Sequence, residues 1–243
     1  ESIVAANKRL QPARIGWSTV ADWEPTHNRR WIRLAGKEVV DPFGNATGRA
    51  NMHPGYLSKD VVGPSGPVDP QLSVISIQTK DGKPLAVLAN YSQHYFGSTP
   101  VSADYFGLFC DLIEKHLGGG MCAMSQGTSG DLMWMDYGAE KKDLTLQSYT
   151  EGVVSYAKKA LAQVKYQDHA ELGMIEKQLT LKYRTPDKKR LSWAKRINAQ
   201  IQNDLPMDKT EVYAREAVIL DQRKETTVKL QAIRIGDPDH GEI

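Results

Sequence analysis

Long apolar runs are missing from this sequence of 243 residues. None approaches the ~18 consecutive apolar residues that a membrane-spanning helix needs, so we expect no transmembrane segment. A surplus of one charge is missing too, because 31 basic side chains stand against 29 acidic ones and leave a net charge of +2. Because the charges are so evenly balanced, the sequence argues against nucleic acid or an anionic membrane as the partner. The apolar share of 40% and the charged share of 25% are typical of a soluble globular protein.

Cysteine is scarce, with two residues in the chain. Cys110 falls inside a predicted helix and Cys122 in the strand predicted after it. A bridge between them is geometrically possible, but two buried free thiols are favoured. The pairing and the redox compartment therefore stay open.

The N-terminal residues, ESIVAANKRLQPARIG, lack the charged, apolar and small-residue regions of a signal peptide. They also lack an initiating Met and read as the last turns of a helix. We therefore expect the chain to be an excerpt of a longer protein.

Apolar periodicity predicts an α/β protein, with one domain over residues 1–243 favoured over two. The predicted strands cover residues 14–23, 72–79, 85–92, 121–124, 172–183 and 227–235. The predicted helices cover residues 2–10, 104–117, 144–164, 188–202 and 210–224. The nearly continuous apolar run over 85–89 is typical of a strand buried on both faces. Residues 41–71, rich in Gly, Pro, Asn and Asp, read as a functional loop rather than a linker.

Three candidate residues, His94, Asp104 and Asp131, come at the ends of predicted strands or in the loops that follow them. Strand ends are where α/β proteins usually place their chemistry. Around His94 stand further polar side chains, namely Ser98, Thr99, Ser102 and Asp104. A histidine and nearby carboxylates could form part of a zinc site, although the spacing matches no compact metal motif. The alternative for His94 is an ordinary hydrogen-bonded histidine.

The turn at residues 126–131, QGTSGD, offers hydroxyl and backbone donors from Thr128, Ser129 and Gly130 next to Asp131. It is neither a phosphate-binding loop nor a GxSxG nucleophile elbow. A tight turn with a capping Asp is the alternative.

Arg29 and Arg30 could bind a carboxylate or phosphate with a bidentate fork, although exposed arginine pairs are usually just solvated. His53, in the long loop, reads as a turn residue rather than a ligand.

Three stretches together resemble the neutral ceramidase family. They are NRR (28–30), the run GPVDP…VISIQTKDGKPLAVLANYSQH with SADYFG after it, and the turn QGTSGD. The likeness extends from about Leu10 to Ile235 and is thin elsewhere. It implies a mixed β-sheet core flanked by helices, as in the catalytic domain of that family.

The resemblance implies a zinc-dependent amide hydrolase, secreted or periplasmic, in which metal-activated water attacks the carbonyl of an N-acyl lipid or a related substrate. The family holds its zinc with two histidines, a glutamate and a tyrosine. His94 matches the second histidine, and the other ligands would lie outside this chain. Arg29 matches a substrate-site arginine. Asp131 and Ser129 are the expected catalytic residues, and Thr128 and Gly130 are expected to assist substrate binding.

One departure from the family pattern concerns the reaction itself. The family turn GDVSP carries a serine proposed to act in amide cleavage, and Met133 occupies its place. Either metal-activated water attacks directly, or the substrate is not a ceramide. The rival hypothesis is a non-catalytic binding or structural member of the same fold, whose site has decayed. A third hypothesis uses Asp104 and Asp131 as acid and base on sugars, which requires the two carboxyl groups to lie ~5–9.5 Å apart.

Overall fold

The structure is a computed structural model that describes residues 1–97, 101–202 and 205–236. The strands are β1 (Ala13–Ala21), β2 (His27–Asn28), β3 (Arg30–Arg33), β4 (Val39–Val40), β5 (Ala46–Gly48), β6 (Ala50–Met52), β7 (Val61–Pro64), β8 (Gln71–Thr79), β9 (Pro84–Tyr91), β10 (Met121–Gln126), β11 (Leu132–Met133), β12 (Leu172–Lys182) and β13 (Glu225–Ile235). The helices are α1 (Ser2–Asn7), α2 (Asp104–Leu117), α3 (Leu146–Leu161), α4 (Lys188–Asn198) and α5 (Lys209–Arg223). Across the described ranges, no helix has both the length and the apolarity to cross a membrane.

Two compact units divide the chain. The first comprises Glu1–Lys37 and Arg49–Ala170, and the second comprises Glu38–Gly48 and Glu171–Ile243. The α/β class is confirmed, since sheets and helices are mixed along the chain. The single domain expected over residues 1–243 stays a prediction.

A four-stranded sheet with the order β1-β8-β9-β10 is the centre of the first unit. The β1–β8 and β8–β9 pairs are antiparallel, and β10 runs parallel to β9. A parallel pair needs a crossover connection, and α2 supplies it between β9 and β10. Because β9 ends at Tyr91 and the chain then crosses over, residues 92–97 lie at the carboxyl end of the parallel pair, where α/β sheets place ligands.

Helices α2 and α3 cover one face of this sheet. In α2, Tyr105, Phe109 and Ile113 recur every fourth residue and are fully buried, so one stripe of the helix faces the core. The helix ends at Gly118, whose φ of 72° is the left-handed conformation that glycine adopts readily. The core is completed by buried side chains of the sheet and of α3, namely Leu72, Val74, Val87, Ala89, Tyr91, Cys122, Tyr149, Val153, Val154, Ala157 and Ala160.

The prediction that β9 is buried on both faces is wrong for the face of the sheet opposite α2 and α3. The apolar run 85–89 predicted a strand buried on both faces, but β9 alternates: Val87 and Ala89 are buried while Leu88 is 44% exposed. Leu88 therefore lies on the face of β9 opposite to the one that carries Val87 and Ala89. Both cysteines are free, as favoured from the sequence.

The stretch 41–71 is not the structureless loop that its composition indicated. It contains β5, β6 and β7, and the last two flank β3 in a three-stranded antiparallel sheet with the order β6-β3-β7. A further short pair, β2 with β11, places Asn28 opposite Leu132 and His27 opposite Met133.

The second unit is built on the long antiparallel pair β12–β13, in which Leu172 faces Ile235. Helices α4 and α5 meet through small buried side chains, Ala194, Ala214 and Ala217. The segment 38–48 adds Phe43, whose ring makes edge contacts with Trp193 and Tyr213.

Candidate functional site

The pairing of β2 with β11 positions Arg29 against the 128–131 turn. The Arg29 backbone N–H donates to the Asp131 carbonyl at 2.8 Å. Its guanidinium donates to the Gly130 carbonyl through Nε at 3.1 Å and through Nη2 at 2.8 Å. Buried Asn28 donates to the Asp131 carboxylate at 3.4 Å. Three hydrogen bonds therefore hold Arg29 against Gly130 and Asp131, and the bond from Asn28 holds the Asp131 carboxylate.

His94 follows the end of β9, and the residues before and after it in the chain are fixed by hydrogen bonds. Before it, the fully buried Gln93 donates through Nε2 to the Pro25 carbonyl at 2.6 Å. After it, the Asp104 carboxylate accepts from the backbone N–H groups of Phe96 at 2.7 Å and Gly97 at 3.1 Å. Asp104 thereby ties the loop after His94 to the start of α2.

His53 reaches the same region from the turn after β6. Its φ of 56° is left-handed, and its N–H donates to the Arg29 carbonyl at 3.0 Å. Its Nδ1 is hydrogen-bonded to the hydroxyl of Tyr137, a residue only 4% exposed.

Arg29, His53 and His94 line one open cleft with a volume of about 710 Å³. The cleft has a largely aromatic and apolar wall, formed by Tyr56, Tyr95, Phe96, Met133, Trp134, Met135, Tyr137 and Leu144. The remaining lining residues are Gly97, Lys141, Lys142 and Asp143. The ring of Phe96 stacks on that of Trp134 at 4.8 Å between centroids, and Trp134 Nε1 donates to the Phe96 carbonyl at 3.2 Å. A few fixed polar groups in an apolar concavity are typical of a small-molecule site.

Burial and nearby positive charge lower the pKa of both imidazoles of the cleft. The pKa of His53 is lowered by burial first, and then by the positive charges of Arg29 and His94. The pKa of His94 is lowered by burial and then by Arg29. Burial raises the pKa of Tyr137 to about 12, so its hydroxyl keeps its proton. That hydroxyl donates to Met135 Sδ at 3.1 Å and is also hydrogen-bonded to His53 Nδ1.

The predicted site residues fall into two groups. Arg29 and His94 line the cleft, whereas Thr128, Ser129, Gly130 and Asp131 are not among its lining residues. Gly130 and Asp131 instead hold Arg29 and Asn28, and the Ser129 N–H donates to the Gly127 carbonyl at 2.9 Å. Their catalytic and substrate-binding roles stay predictions. Ser98 and Thr99 lie outside the described residues.

His53 and Tyr137 belong to the cleft but were not singled out from the sequence. His53 was taken for a turn residue, and the turn is real, but its side chain also lines the cleft. Tyr137 is separated from it by 84 residues, so no local pattern links the two. Met133, which stands where the family serine is expected, is 7% exposed and lines the cleft as well.

The side chains of the cleft that could bind a metal fit a zinc ion in part. Neutral imidazole is the form that binds zinc, and His94 Nδ1 lies 3.4 Å from the Tyr95 carbonyl, which leaves Nε2 for a metal. Over the residues with described positions, no three or more His, Cys, Asp or Glu side chains gather as a metal site. The role of His94 as a zinc ligand therefore stays a prediction.

Comparison with known proteins shows which fold the chain shares. The chain matches the crystal structure of neutral ceramidase from Pseudomonas aeruginosa with a TM-score of 0.53 and 16% identity, covering 97% of this chain and 40% of that one. A ceramidase solved in complex with C2 matches with a TM-score of 0.46 and 18% identity, covering 72% of this chain and 26% of that one. No family model matches, and no curated protein matches. The chain therefore has the α/β fold of part of a neutral ceramidase, and it spans less than half the length of these structures.

Proposed function

We propose that this protein is a zinc-dependent hydrolase that cleaves an amide bond in an N-acyl lipid or a related molecule. The observation that carries the proposal is the meeting of Arg29, His53 and His94 in one cleft, within a fold shared with neutral ceramidase. The amide chemistry and the lipid substrate are inferred from that likeness and from the chemistry of the cleft.

Arg29 is the residue that we propose to orient the substrate carbonyl. Its Nε and Nη2 are held by the Gly130 carbonyl, so the guanidinium is fixed before substrate arrives. Donors that are fixed in advance stabilise the negative charge that develops on a carbonyl oxygen during acyl transfer.

The aromatic wall of the cleft supports an apolar substrate. Phe96 and Trp134 form a rigid stacked pair, and Met133 and Leu144 add aliphatic surface nearby. An acyl chain lying against this wall would be removed from water, which contributes roughly 0.8 kcal/mol for each buried CH₂ group.

Zinc is the cofactor that we propose, with His94 as one ligand and the remaining ligands from outside the present chain. A bound zinc ion would polarise the scissile carbonyl and lower the pKa of a water toward ~7. Met133 has a thioether that can neither attack a carbonyl nor donate a proton, so the nucleophile would be water. The turn 128–131 would support the site by holding Arg29, and Asp131 and Ser129 are the residues of this turn that we propose to assist catalysis.

Metal content tests the zinc assignment independently of activity. The His94→Ala variant of the full-length protein should lose its zinc, measured by elemental analysis after dialysis against dilute metal. His116→Ala removes an exposed histidine from α2 and is the matched control, since His116 does not line the cleft. Zinc retained at the wild-type level by His94→Ala would remove His94 from the ligand set.

A non-catalytic binding protein of the same fold is the second candidate, and Met133 favours it. The two differ in one observable, because a binding protein would take up the N-acyl lipid without releasing fatty acid. Saturable lipid binding together with no fatty acid release by the zinc-loaded full-length protein would favour this second candidate.

A further inference from the structure

Basic side chains are concentrated in helix α4 of the second unit. Its 11 residues include five Lys or Arg and no Asp or Glu. Helix α5 is balanced by comparison, with three basic and three acidic residues over Lys209–Arg223. The net charge of +2 for the whole chain therefore conceals a local excess of positive charge on α4.

One side of α4 packs on α5, and the basic side chains lie mainly on the other side. The packing side consists of the buried Ala194 with the partly buried Trp193 and Ile197. Each residue turns a helix by about 100°, so four of the five basic residues fall on the arc away from this side. We call these four the basic face: Lys188, Lys189, Lys195 and Arg196.

The basic face is open to a partner. All four of its side chains are exposed. Among the residues that the structure describes, none of the four takes part in an ion pair. Arg190, the fifth basic residue, is engaged within the unit, since its guanidinium lies 3.8 Å from the centre of the Phe43 ring.

Helix stability does not account for the basic face. Lys195 and Arg196 in the last turn suit the helix dipole, but Lys188 and Lys189 in the first turn oppose it. The carboxylate of Asp187 is used as the N-cap, where it accepts from the Arg190 backbone N–H at 2.7 Å. Positive charge at both ends of one exposed face instead fits an extended anionic surface.

Exposed apolar side chains follow the basic face in the chain. Leu205 is 64% exposed and Met207 is 85% exposed, and both lie between the end of α4 and the start of α5. The Met207 backbone N–H donates to the Glu211 carboxylate at 2.6 Å, which holds Met207 at the start of α5. The interface of a bilayer takes up apolar side chains while its anionic headgroups attract Lys and Arg. Nucleic-acid phosphates attract the basic side chains alone, so the combination favours a membrane.

We infer that the second unit binds the surface of an anionic lipid bilayer through the basic face, with Leu205 and Met207 entering the headgroup region. Because the apolar side of α4 already packs on α5, the helix meets the bilayer with its charged side. The contact is salt-dependent, since exposed charges are screened over ~10 Å at 0.1 M ionic strength. The inference rests on the second unit alone and holds whether or not the protein is a hydrolase.

Co-sedimentation of the full-length protein with lipid vesicles tests the inference. We expect binding to vesicles of phosphatidylcholine and phosphatidylserine in equal parts, much weaker binding to phosphatidylcholine alone, and release by high salt. The double variant Lys188→Gln with Lys195→Gln should bind the mixed vesicles about 25-fold more weakly, at roughly 5-fold for each basic side chain removed. Met207→Ser should weaken binding about 5-fold, because an apolar side chain no longer enters the headgroup region.

Lys115→Gln with Lys158→Gln is the matched control, because it removes two exposed lysines from helices of the first unit. It should bind the mixed vesicles like wild type, and circular dichroism checks that each variant folds. The inference is overturned if the wild type does not bind, if binding does not depend on phosphatidylserine, or if the Lys188/Lys195 and control variants bind equally. Met207→Ser binding like wild type would overturn the entry of Met207 into the bilayer.

A labelled double-stranded oligonucleotide tests the other anionic partner. We expect it to bind more weakly than the mixed vesicles at the same salt concentration. Tighter binding of the oligonucleotide, lost in the Lys188/Lys195 variant, would overturn the inference and assign the basic face to nucleic acid.

Discussion

Asp22 lies fully buried at the end of β1, and burial raises the pKa of its carboxyl from 3.8 to about 6. Hydrogen bonds from the Tyr91 hydroxyl and from backbone near Glu24 lower the pKa only in part. Between pH 4 and 6 the unfolded chain releases a proton that the folded protein still holds. The free energy of unfolding therefore falls as the pH rises through this window. Above pH 6 it stays about 3 kcal/mol lower than below pH 4.

The variant Asp22→Asn should remove this pH dependence. An amide keeps an acceptor oxygen for the Tyr91 hydroxyl but carries no charge, so the free energy of unfolding at pH 8 should rise by up to about 3 kcal/mol. The gain should vanish below pH 4, where both states of the wild type are protonated. Urea unfolding at the two pH values measures it, with Asp111→Asn as the control; no gain at pH 8 would contradict the assignment.

Arg29 acts on the two imidazoles of the cleft through its charge. Because it lowers the pKa of both His53 and His94, Arg29→Gln should raise both values by favouring the protonated rings. NMR titration of the imidazole protons measures the change. Arg30→Gln removes the neighbouring exposed arginine and should leave both pKa values where they are. Unchanged values in Arg29→Gln would mean that Arg29 does not face these rings.

At the scale of elements, Gly16 is where β1 meets the chain after α3. A Cβ atom on Gly16 would lie 2.5 Å from the Lys165 carbonyl oxygen and 2.7 Å from Val164 Cγ1. The Lys165 backbone cannot yield easily, since the nearby Gln167 is paired with Ile15 on β1.

The substitution Gly16→Ala should therefore lower the free energy of unfolding by ~1–3 kcal/mol through overpacking. Gly63→Ala in β7 is the matched control, because nothing lies within 4 Å of its added Cβ, and its effect should be small. Thermal and urea unfolding of the two variants measure the contrast. Equal stabilities would show that Val164 and Lys165, in the chain after α3, do not contact β1 at Gly16.

The sequence predicted the elements well where a local signal exists. Helix α2 covers the residues 104–117 that apolar periodicity predicted, and Gly118 ends it. The strands predicted over 72–79 and 85–92 are also present and pair as the antiparallel hairpin β8–β9. The exposed face of Leu88 was missed, because an apolar run does not show whether a second layer covers the strand.

At the scale of the whole molecule, two of the residues that line the cleft were singled out from the sequence. His94 and Arg29 stood out from the sequence, and both line it. The rest depends on contacts between distant parts of the chain. Pairing of β2 with β11 brings Arg29 to Asp131, and His53 meets Tyr137 across 84 residues. The assignment of segment 38–48 to the second unit has no local signal either.

The central claim is that the cleft containing Arg29 and His94 hydrolyses an amide. Fatty acid release from a labelled N-acyl sphingoid lipid by the zinc-supplemented full-length protein tests it most directly. We predict measurable turnover, a kcat/KM about 100-fold lower in Arg29→Gln because a fixed carbonyl donor is lost, and a value near wild type in Arg30→Gln. No release of fatty acid by the wild type, or equal kcat/KM in Arg29→Gln and wild type, would contradict the claim.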